Sequence, residues 1–414
     1  MQKVLFVSFD LIRPRDPEKS LAIASILAAL KSDERLNSRY EFEHLLVNRC
    51  AGENWREKIG AYKLGEYSFV AISVYAWSES IVNDVIKSLI DYGFNGRVIL
   101  GGYQIAKDTL KNYKRRYPQA DVFVEGYAEQ ALLDYFAEDS VAGVPMVIKS
   151  KSKLNPTVLR SPYLTGEIPV ERGMEMLRIE TKRGCPYRCS FCRHRDVVNN
   201  LTVELDESRV MEEFDRLISM NVKKINIIDP IFHIGNYMKI LKKIVSLCKS
   251  KKAETLFSLQ CRLEFLARGD GLDGREFLDL CGQGNFELEF GLQTCNERES
   301  ILINRRNEML LIEKALEILN RSDIRHEISL IYGLPGQTLE SFSNGIEFLK
   351  KNRGTNCVVK AYPLMLLPGT PLYKEKEKYA FKEEMDDLNI SHVVSSDSFT
   401  YNEWLKMKEI ADTL

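Results

Sequence analysis

Met176-Leu-Arg-Ile-Glu-Thr-Lys-Arg-Gly-Cys185-Pro-Tyr-Arg-Cys189-Ser-Phe-Cys192 runs from a short strand-like segment straight into a loop that carries three cysteines, spaced by three and then two residues. Three thiolates on one loop can ligate three irons of a cubane cluster and leave the fourth iron open to an exogenous ligand. Zinc would want a fourth protein ligand, and His194 is near in sequence, but this spacing followed by Arg193-His194-Arg195 is not a zinc pattern. Further apolar β runs follow at Ile225 to Ile228, Leu256 to Leu259, Phe286 to Phe290, Ile328 to Ile331 and Val358 to Leu367, alternating with helical patterns. With Met176 to Ile179 they make six βα units, which predicts an α/β fold with a partial (β/α)6 barrel of parallel strands over residues 174–372. In barrels of this kind the chemistry lies at the carboxyl ends of the strands, where the cysteine loop falls.

Upstream, residues 1–140 carry another alternation. Strand candidates at Lys3 to Phe9, Glu41 to Val47, Phe69 to Val74, Val98 to Leu100 and Val122 to Val124 are interleaved with helical spacing at Leu21 to Leu30 and Ile81 to Ile90. That pattern predicts a doubly wound, Rossmann-like parallel domain. Residues 141–173 mix Lys, Ser, Pro and Gly without a period and read as a connection. Residues 373–414 are charged and read as a short, mostly helical segment; the helical pattern from Tyr401 reaches Leu414, so the chain either ends on that helix or continues beyond it.

A chain of 414 residues is long enough for two cores. Its 58 basic and 59 acidic residues give a formal charge of -1, so nothing suggests electrostatic wrapping of nucleic acid, and a small-molecule or peptide substrate is favoured. No apolar stretch approaches the ~20 residues of a membrane span. The N-terminal Met1-Gln2-Lys3 leads directly into a strand without a cleavage region, which predicts a cytoplasmic protein. Nine cysteines there point to metal binding or free thiols rather than disulfides. Cys50, Cys248, Cys261, Cys281, Cys295 and Cys357 stand alone and read as buried small hydrophobes.

A doubly wound sheet takes its ligand outside the carboxyl ends of its strands, at a topological switch point. The residues there are Asp10 and Arg13 after the first strand, Ser73, Tyr75 and Trp77 after the third, then Gly101, Gly102 and Tyr103, and finally Glu125, Gly126 and Tyr127. Paired glycines permit close backbone approach to a ligand.

The loop from Thr181 to Cys192 resembles the signature of the radical S-adenosylmethionine (SAM) superfamily, and the similarity extends over residues 176 to about 372. The resemblance implies that Cys185, Cys189 and Cys192 hold a [4Fe-4S] cluster and that Phe191 packs near the adenine of SAM. Asp229-Pro230-Ile231-Phe232 resembles the segment that binds the methionyl amino group, although Asp-Pro is also a common turn pair. Glu289-Phe-Gly-Leu-Gln293-Thr294 resembles a family segment whose polar residues reach the ribose and the methionyl carboxylate. Strand alternation places Glu289, Gly291 and Gln293 on one face, towards the barrel interior. Ile331 to Thr338 resembles the family's fifth-strand turn, with Ser329 where an Asp is usual, and Leu366 to Pro371, with Leu367, resembles the loop beside the adenine.

Residues 1 to about 140 resemble the cobalamin-binding domain that precedes many radical enzymes of this type. They lack the Asp-x-His-x-x-Gly loop whose histidine ligates cobalt from below: the segment after the first strand is Phe9-Asp10-Leu11-Ile12-Arg13, and the histidine of this region is His44. The expectation is cobalamin held without that histidine. Together the resemblances imply an enzyme that reductively cleaves SAM to a 5′-deoxyadenosyl radical, with an electron donor such as flavodoxin or ferredoxin, for cobalamin-dependent C-methylation of a peptide or natural product. The alternative is a radical rearrangement or crosslink without methyl transfer.

Overall fold

The computed structural model describes residues 1–138, 145–149, 159–194, 201–269 and 271–414. Of the stretch read as a connection, residues 141–144 and 150–158 lie outside the described residues. The chain divides into two compact units, residues 1–170 with 386–390, and residues 171–385 with 391–414.

In the first unit, runs rich in Val, Ile and Phe form six parallel strands: β1 (Gln2–Asp10), β2 (Tyr40–Asn48), β3 (Tyr67–Ser73), β4 (Arg97–Gly101), β5 (Val122–Glu125) and β6 (Met146–Lys149). The last lies inside the stretch read as a connection; a Lys- and Ser-rich setting hides a four-residue edge strand from periodicity. The spatial order is β2-β1-β3-β4-β5-β6, so the order reverses between β1 and β3 and the switch point lies at their carboxyl ends. The helices are α1 (Leu21–Lys31), α2 (Glu34–Asn37), α3 (Trp55–Gly60), α4 (Val82–Asp91), α5 (Leu110–Arg116) and α6 (Ala128–Ala137). Successive strand residues face opposite sides, and here both sides are apolar. Leu5, Val7 and Phe9 pack with α3 and α4 residues such as Ile59 and Val85, whereas Val4 and Phe6 pack with Leu27 of α1 and Phe136 of α6.

The second unit contains β7 (Met176–Ile179), β8 (Lys182–Arg183), β9 (Val203–Glu204), β10 (Lys224–Ile227), β11 (Leu256–Cys261), β12 (Phe286–Gln293), β13 (Arg325–Tyr332) and β14 (Cys357–Pro363). Six of them, β7 and β10 to β14, form a parallel sheet in chain order. The intervening helices are α7 (Glu207–Ser219), α8 (Tyr237–Lys251), α9 (Leu272–Cys281), α10 (Glu297–Leu302), α11 (Met309–Asn320) and α12 (Leu339–Asn352). This is the partial (β/α)6 arrangement. Here alternation separates two kinds of surface. Phe286, Leu288, Phe290 and Leu292 of β12 are buried, while Glu287, Glu289, Gly291 and Gln293 form the other set. Register sets Gln260 beside Glu289 beside Glu327, and Gly291 beside Ser329 beside Lys360, so polar rows cross the inner face. β14 stops at Pro363, earlier than its apolar run predicts, because proline has no N–H with which to extend a ladder.

The segment from 373 onward is not mostly helical. After α13 (Pro371–Lys374) it forms an antiparallel hairpin, β15 (Lys382–Met385) and β16 (Ser391–Ser395), and only then α14 (Tyr401–Asp412). Asp386 explains the hairpin: its carboxylate accepts from the N–H groups of Leu388 and Ile390, each at 2.9 Å, closing the turn locally. Val393 and Val394 then bury β-branched side chains, a strand preference that the flanking charges mask.

Candidate functional site

The cysteine loop is fixed at its root by two buried charges. Asp229, at the end of β10, is fully buried, and its carboxylate accepts from the N–H groups of Thr181 (2.7 Å) and Lys182 (3.1 Å) and from the Thr181 hydroxyl. Lys182 is equally buried and donates to the carbonyls of Phe232 (2.8 Å) and Ile234 (2.6 Å), with its ammonium 4.0 Å from Asp229. Loop and β10 turn therefore grip each other, which is how two buried charges stay satisfied. Gly184 follows at φ 85°, and a Cβ there would collide with the carbonyl of Leu201, so the turn into Cys185 requires glycine. The far side of the loop is held residue by residue. Ser190 N–H donates to the Ile303 carbonyl (2.8 Å), Asn304 Nδ2 donates to the Arg188 carbonyl (2.8 Å), and Leu372 N–H donates to the Ser190 carbonyl (3.0 Å).

Above this loop is a cavity of about 230 Å³ at the carboxyl ends of the strands. It brings together six residues expected from the sequence: Cys185, Cys189, Cys192, Phe191, Glu289 and Gln293. Burial pushes the Cys185 thiol up and the Cys192 thiol up to about 11, and a bound cation would favour their thiolate forms. Glu289 accepts from Ser258 Oγ (2.6 Å) and Gln260 Nε2 (3.1 Å), which orients it on the inner face. Gln293 reaches the cavity through a bulge: Leu292 is extra in the β12–β13 register, and Gln293 takes φ 76°. Gly291 leaves room for it, since a Cβ there would stand 2.5 Å from Gln293 Nε2.

Three expected SAM contacts do not line the cavity. The Asp229 carboxylate faces the loop root, so its segment offers the cavity Pro230 and Ile231 instead. Thr294 is buried and donates to Glu299, a carboxylate that also accepts from Gln337 (3.2 Å) and Ser341 and that burial pushes up in pKa. Gln337 in turn accepts from the N–H groups of Gly333 (2.7 Å) and Leu334 (3.2 Å), so this network ties the ends of β12 and β13 to α12. Leu367 serves a turn, its carbonyl accepting from Thr370 Oγ (2.7 Å).

The sequence reading missed Tyr187, Arg262, Arg305, Gln260 and Cys261 as lining residues, while Ser329, noted where an Asp is usual, also lines the cavity. The Arg262 guanidinium lies 4.3 Å from the centre of the Tyr187 ring and donates to Glu264 (2.8 Å). Arg305 reaches back from the segment after α10, with Nη1 3.7 Å from Cys189 Sγ and Nη2 donating to the Gly291 carbonyl. The polar run Asn304-Arg305-Arg306-Asn307 was its only sequence signal. Three thiols on a loop whose backbone is held from both sides, within reach of a guanidinium, suit a cubane cluster with an open iron.

In the first unit, the expected residues at the strand ends form a mixed surface. Tyr75 and Trp77 stack at 4.8 Å with an interplanar angle of 5°, Tyr103 meets Tyr75 edge-on at 5.9 Å, and Trp77 Nε1 donates to the Phe9 carbonyl (2.6 Å). Gly102, next to Gly101, has φ 106°, and a Cβ there would stand 2.6 Å from the Val74 carbonyl oxygen. Gly126 has open space above it, and Tyr103 and Tyr127 are exposed. Ser73 carries a buried hydroxyl without a hydrogen-bond partner. Asp10 is buried against Ser8 Oγ (2.9 Å), which also meets His44 Nε2 (2.8 Å), and Arg13 is exposed in the turn beyond. Glu125 departs from expectation: its carboxylate accepts from Tyr113 Oη (2.7 Å) and Asp108 N–H (3.1 Å), holding α5 to the sheet. A flat aromatic shelf, bare glycine backbone and an orphan hydroxyl fit a large planar ligand with polar edges.

Comparison with known proteins agrees with this geometry. Residues 179–349 match the Radical SAM superfamily. The chain is 25% identical over 399 residues to the cobalamin-dependent radical SAM methyltransferase TokK of Streptomyces tokunonensis, covering 90% of this chain and 56% of that protein. It is 23% identical over 406 residues to the 2-(S-pantetheinyl)-carbapenam-3-carboxylate methyltransferase of Streptantibioticus cattleyicolor, again covering 90% of this chain and 56% of the relative. The chain thus spans little more than half the length of these curated relatives. Among solved structures, the radical SAM methyltransferase TsrM of Kitasatospora setae, with cobalamin and a [4Fe-4S] cluster bound, superposes with a TM-score of 0.66 at 15% identity, over 94% of this chain and 81% of that one. OxsB, a cobalamin-dependent SAM radical enzyme with aqua-cobalamin and SAM bound, gives 0.68 at 16% identity, over 99% of this chain and 66% of that one. Residues 179–349 thus match the radical SAM family, and over nine-tenths of its length the chain is similar to a cobalamin-dependent radical SAM methyltransferase.

Proposed function

We propose that the protein is a cobalamin-dependent radical SAM methyltransferase that C-methylates a small natural product or peptide. The observation that carries the reading is the single cavity in which three thiols, Phe191, Glu289 and Gln293 meet. Bound there, a [4Fe-4S] cluster with one open iron would supply reductive cleavage of SAM to a 5′-deoxyadenosyl radical, and cobalamin would supply the methyl group. Cys185, Cys189 and Cys192 hold the cluster, and the interlocked Asp229 and Lys182 keep their loop against the β10 turn. Phe191 packs on the adenine. Glu289 and Gln293 hydrogen-bond the ribose and the methionyl end, Glu289 being held for this by Ser258 and Gln260. The strand-end residues from Asp10 to Tyr127 would hold cobalamin, with the stacked Tyr75 and Trp77 offering a flat apolar surface and no histidine of the usual motif available to it. The relatives named as methyltransferases and the solved structures with cobalamin support the assignment. An external one-electron donor such as flavodoxin or ferredoxin completes the system.

The test is anaerobic reconstitution followed by visible spectroscopy and mass spectrometry. Iron–sulfur and cobalamin absorbance together, formation of 5′-deoxyadenosine, and a methyl increment on product are the expected results. Loss of hydrogens or of a fragment from the product would instead make this a radical rearrangement or crosslinking enzyme.

A further inference from the structure

Arg305 is 8% exposed: Nη2 donates to the Gly291 carbonyl, Nη1 stands 3.7 Å from Cys189 Sγ, and Nε is buried without a hydrogen-bond partner. No carboxylate pairs with it among the described residues. The contrast with its neighbours is clear. Arg262, on the same cavity, has Glu264 at 2.8 Å, and Arg183, at the loop root, has Glu180 at 2.7 Å. A buried guanidinium without a counter-ion is costly, and arginine does not lose its proton to escape that cost. Its position is also well determined. The adjoining Ile303 and Asn304 each hydrogen-bond the cysteine loop at 2.8 Å, so the guanidinium is held against that loop by the same short segment.

We infer that Arg305 is a built-in counter-charge for the cysteine-held cluster, a positioning residue that raises the cluster's reduction potential. This rests on the cluster assignment made above. Three thiolates give the cluster net negative charge, and taking up one electron deepens it. A fixed cation a few ångströms away in a poorly solvated pocket stabilises the reduced form more than the oxidised one. The Nη1–Sγ contact becomes a charge-assisted hydrogen bond once Cys189 is a thiolate. One other anion enters this cavity, the carboxylate of SAM, and it is distinguished by measuring with and without SAM.

Wild type, Arg305→Met and Arg305→Lys are reconstituted anaerobically. Iron per chain is measured, and the cluster is titrated with dithionite in the presence of redox mediators while the reduced signal is followed by electron paramagnetic resonance. Loaded Arg305→Met should show about a tenfold lower ratio of reduced to oxidised cluster at the wild-type midpoint, a shift of about 59 mV to more negative potential for a one-electron couple. Arg305→Lys should keep most of the wild-type value, and the shift should appear without SAM. A wild-type potential in loaded Arg305→Met overturns the inference, and so does a shift that appears only with SAM, which would assign the guanidinium to the carboxylate. If Arg305→Met takes up no iron, the lysine variant decides: loading supports a role of charge, and failure to load shows that shape alone matters. A wild-type protein that assembles no cluster would defeat the proposed function instead, and is read from the iron content before any titration.

Discussion

The two parallel sheets of this chain use strand alternation in opposite ways. In β1 of the first sheet both sets of alternate residues are apolar and buried, Leu5 and Val7 on one side, Val4 and Phe6 on the other. In β12 of the second sheet one set is buried, and the other, Glu287, Glu289, Gly291 and Gln293, faces the inside. A sheet covered on both faces has no face left for a ligand, so binding is confined to strand ends, where backbone shape decides. A sheet curled on itself keeps an inner face, and side chains in register can reach the ligand directly. Substitutions should therefore separate ligand chemistry from folding in the second unit and combine them in the first.

The largest effect tests the second unit. Cys189→Ala should lose essentially all bound iron and 5′-deoxyadenosine formation, while the stability of the iron-free protein changes by no more than ~1 kcal/mol. Iron analysis and urea unfolding measure the two sides; Cys50→Ala and Cys357→Ala should retain full iron. In the first unit, Gly102→Ala must accept φ 106° and a Cβ 2.6 Å from the Val74 carbonyl oxygen. It should cost ~1–3 kcal/mol of stability together with cobalamin retention. Retained stability with lost cobalamin would break the contrast.

Next in size, Glu289→Ala and Gln293→Ala should each weaken SAM binding by ~1–3 kcal/mol, measured calorimetrically on loaded protein, without loss of iron. A fall in stability as large as the fall in affinity would blur the two units into one behaviour. The smallest effect concerns His44, whose imidazole burial pushes down to about 4. Between pH 6.5 and about 4 the unfolded chain takes up a proton that the folded chain refuses, so stability falls as pH drops through that window and is unaffected above it. His44→Gln should flatten this slope in urea unfolding at pH 5 against pH 7, and should leave the cobalamin spectrum unchanged.

These contrasts also explain what could be read beforehand. Cys185, Cys189 and Cys192 were legible as a group because three closely spaced cysteines stand out in sequence, and they do line one cavity; the barrel was legible because each strand announces itself by an apolar run. Asp229, Thr294 and Leu367 were named from the order of motifs along the chain, and in space they lie outside the cavity lining. A motif gives position, whereas the direction of a side chain depends on partners such as Thr181, Glu299 and Thr370 that the motif does not contain. Arg305 was invisible for the reverse reason, since it reaches Cys189 across 116 residues of sequence. At the C-terminus, charge concealed a hairpin that depends on one Asp386 turn and two valines.

Gly291 and Gln293 show how narrow the routes of change through such a site are. With glutamine at 293, even alanine at 291 would bring a methyl group within 2.5 Å of Nε2, while a shorter residue at 293 would remove that obstacle. The two positions are thus coupled: Nε2 is the far end of a flexible side chain, so a larger residue at 291 is accommodated by swinging the amide out of its place, and enlarging 291 displaces the cavity's amide even when 293 is unchanged. Descendants of this chain would keep the pair intact or pass through an intermediate that grips its ligand less well.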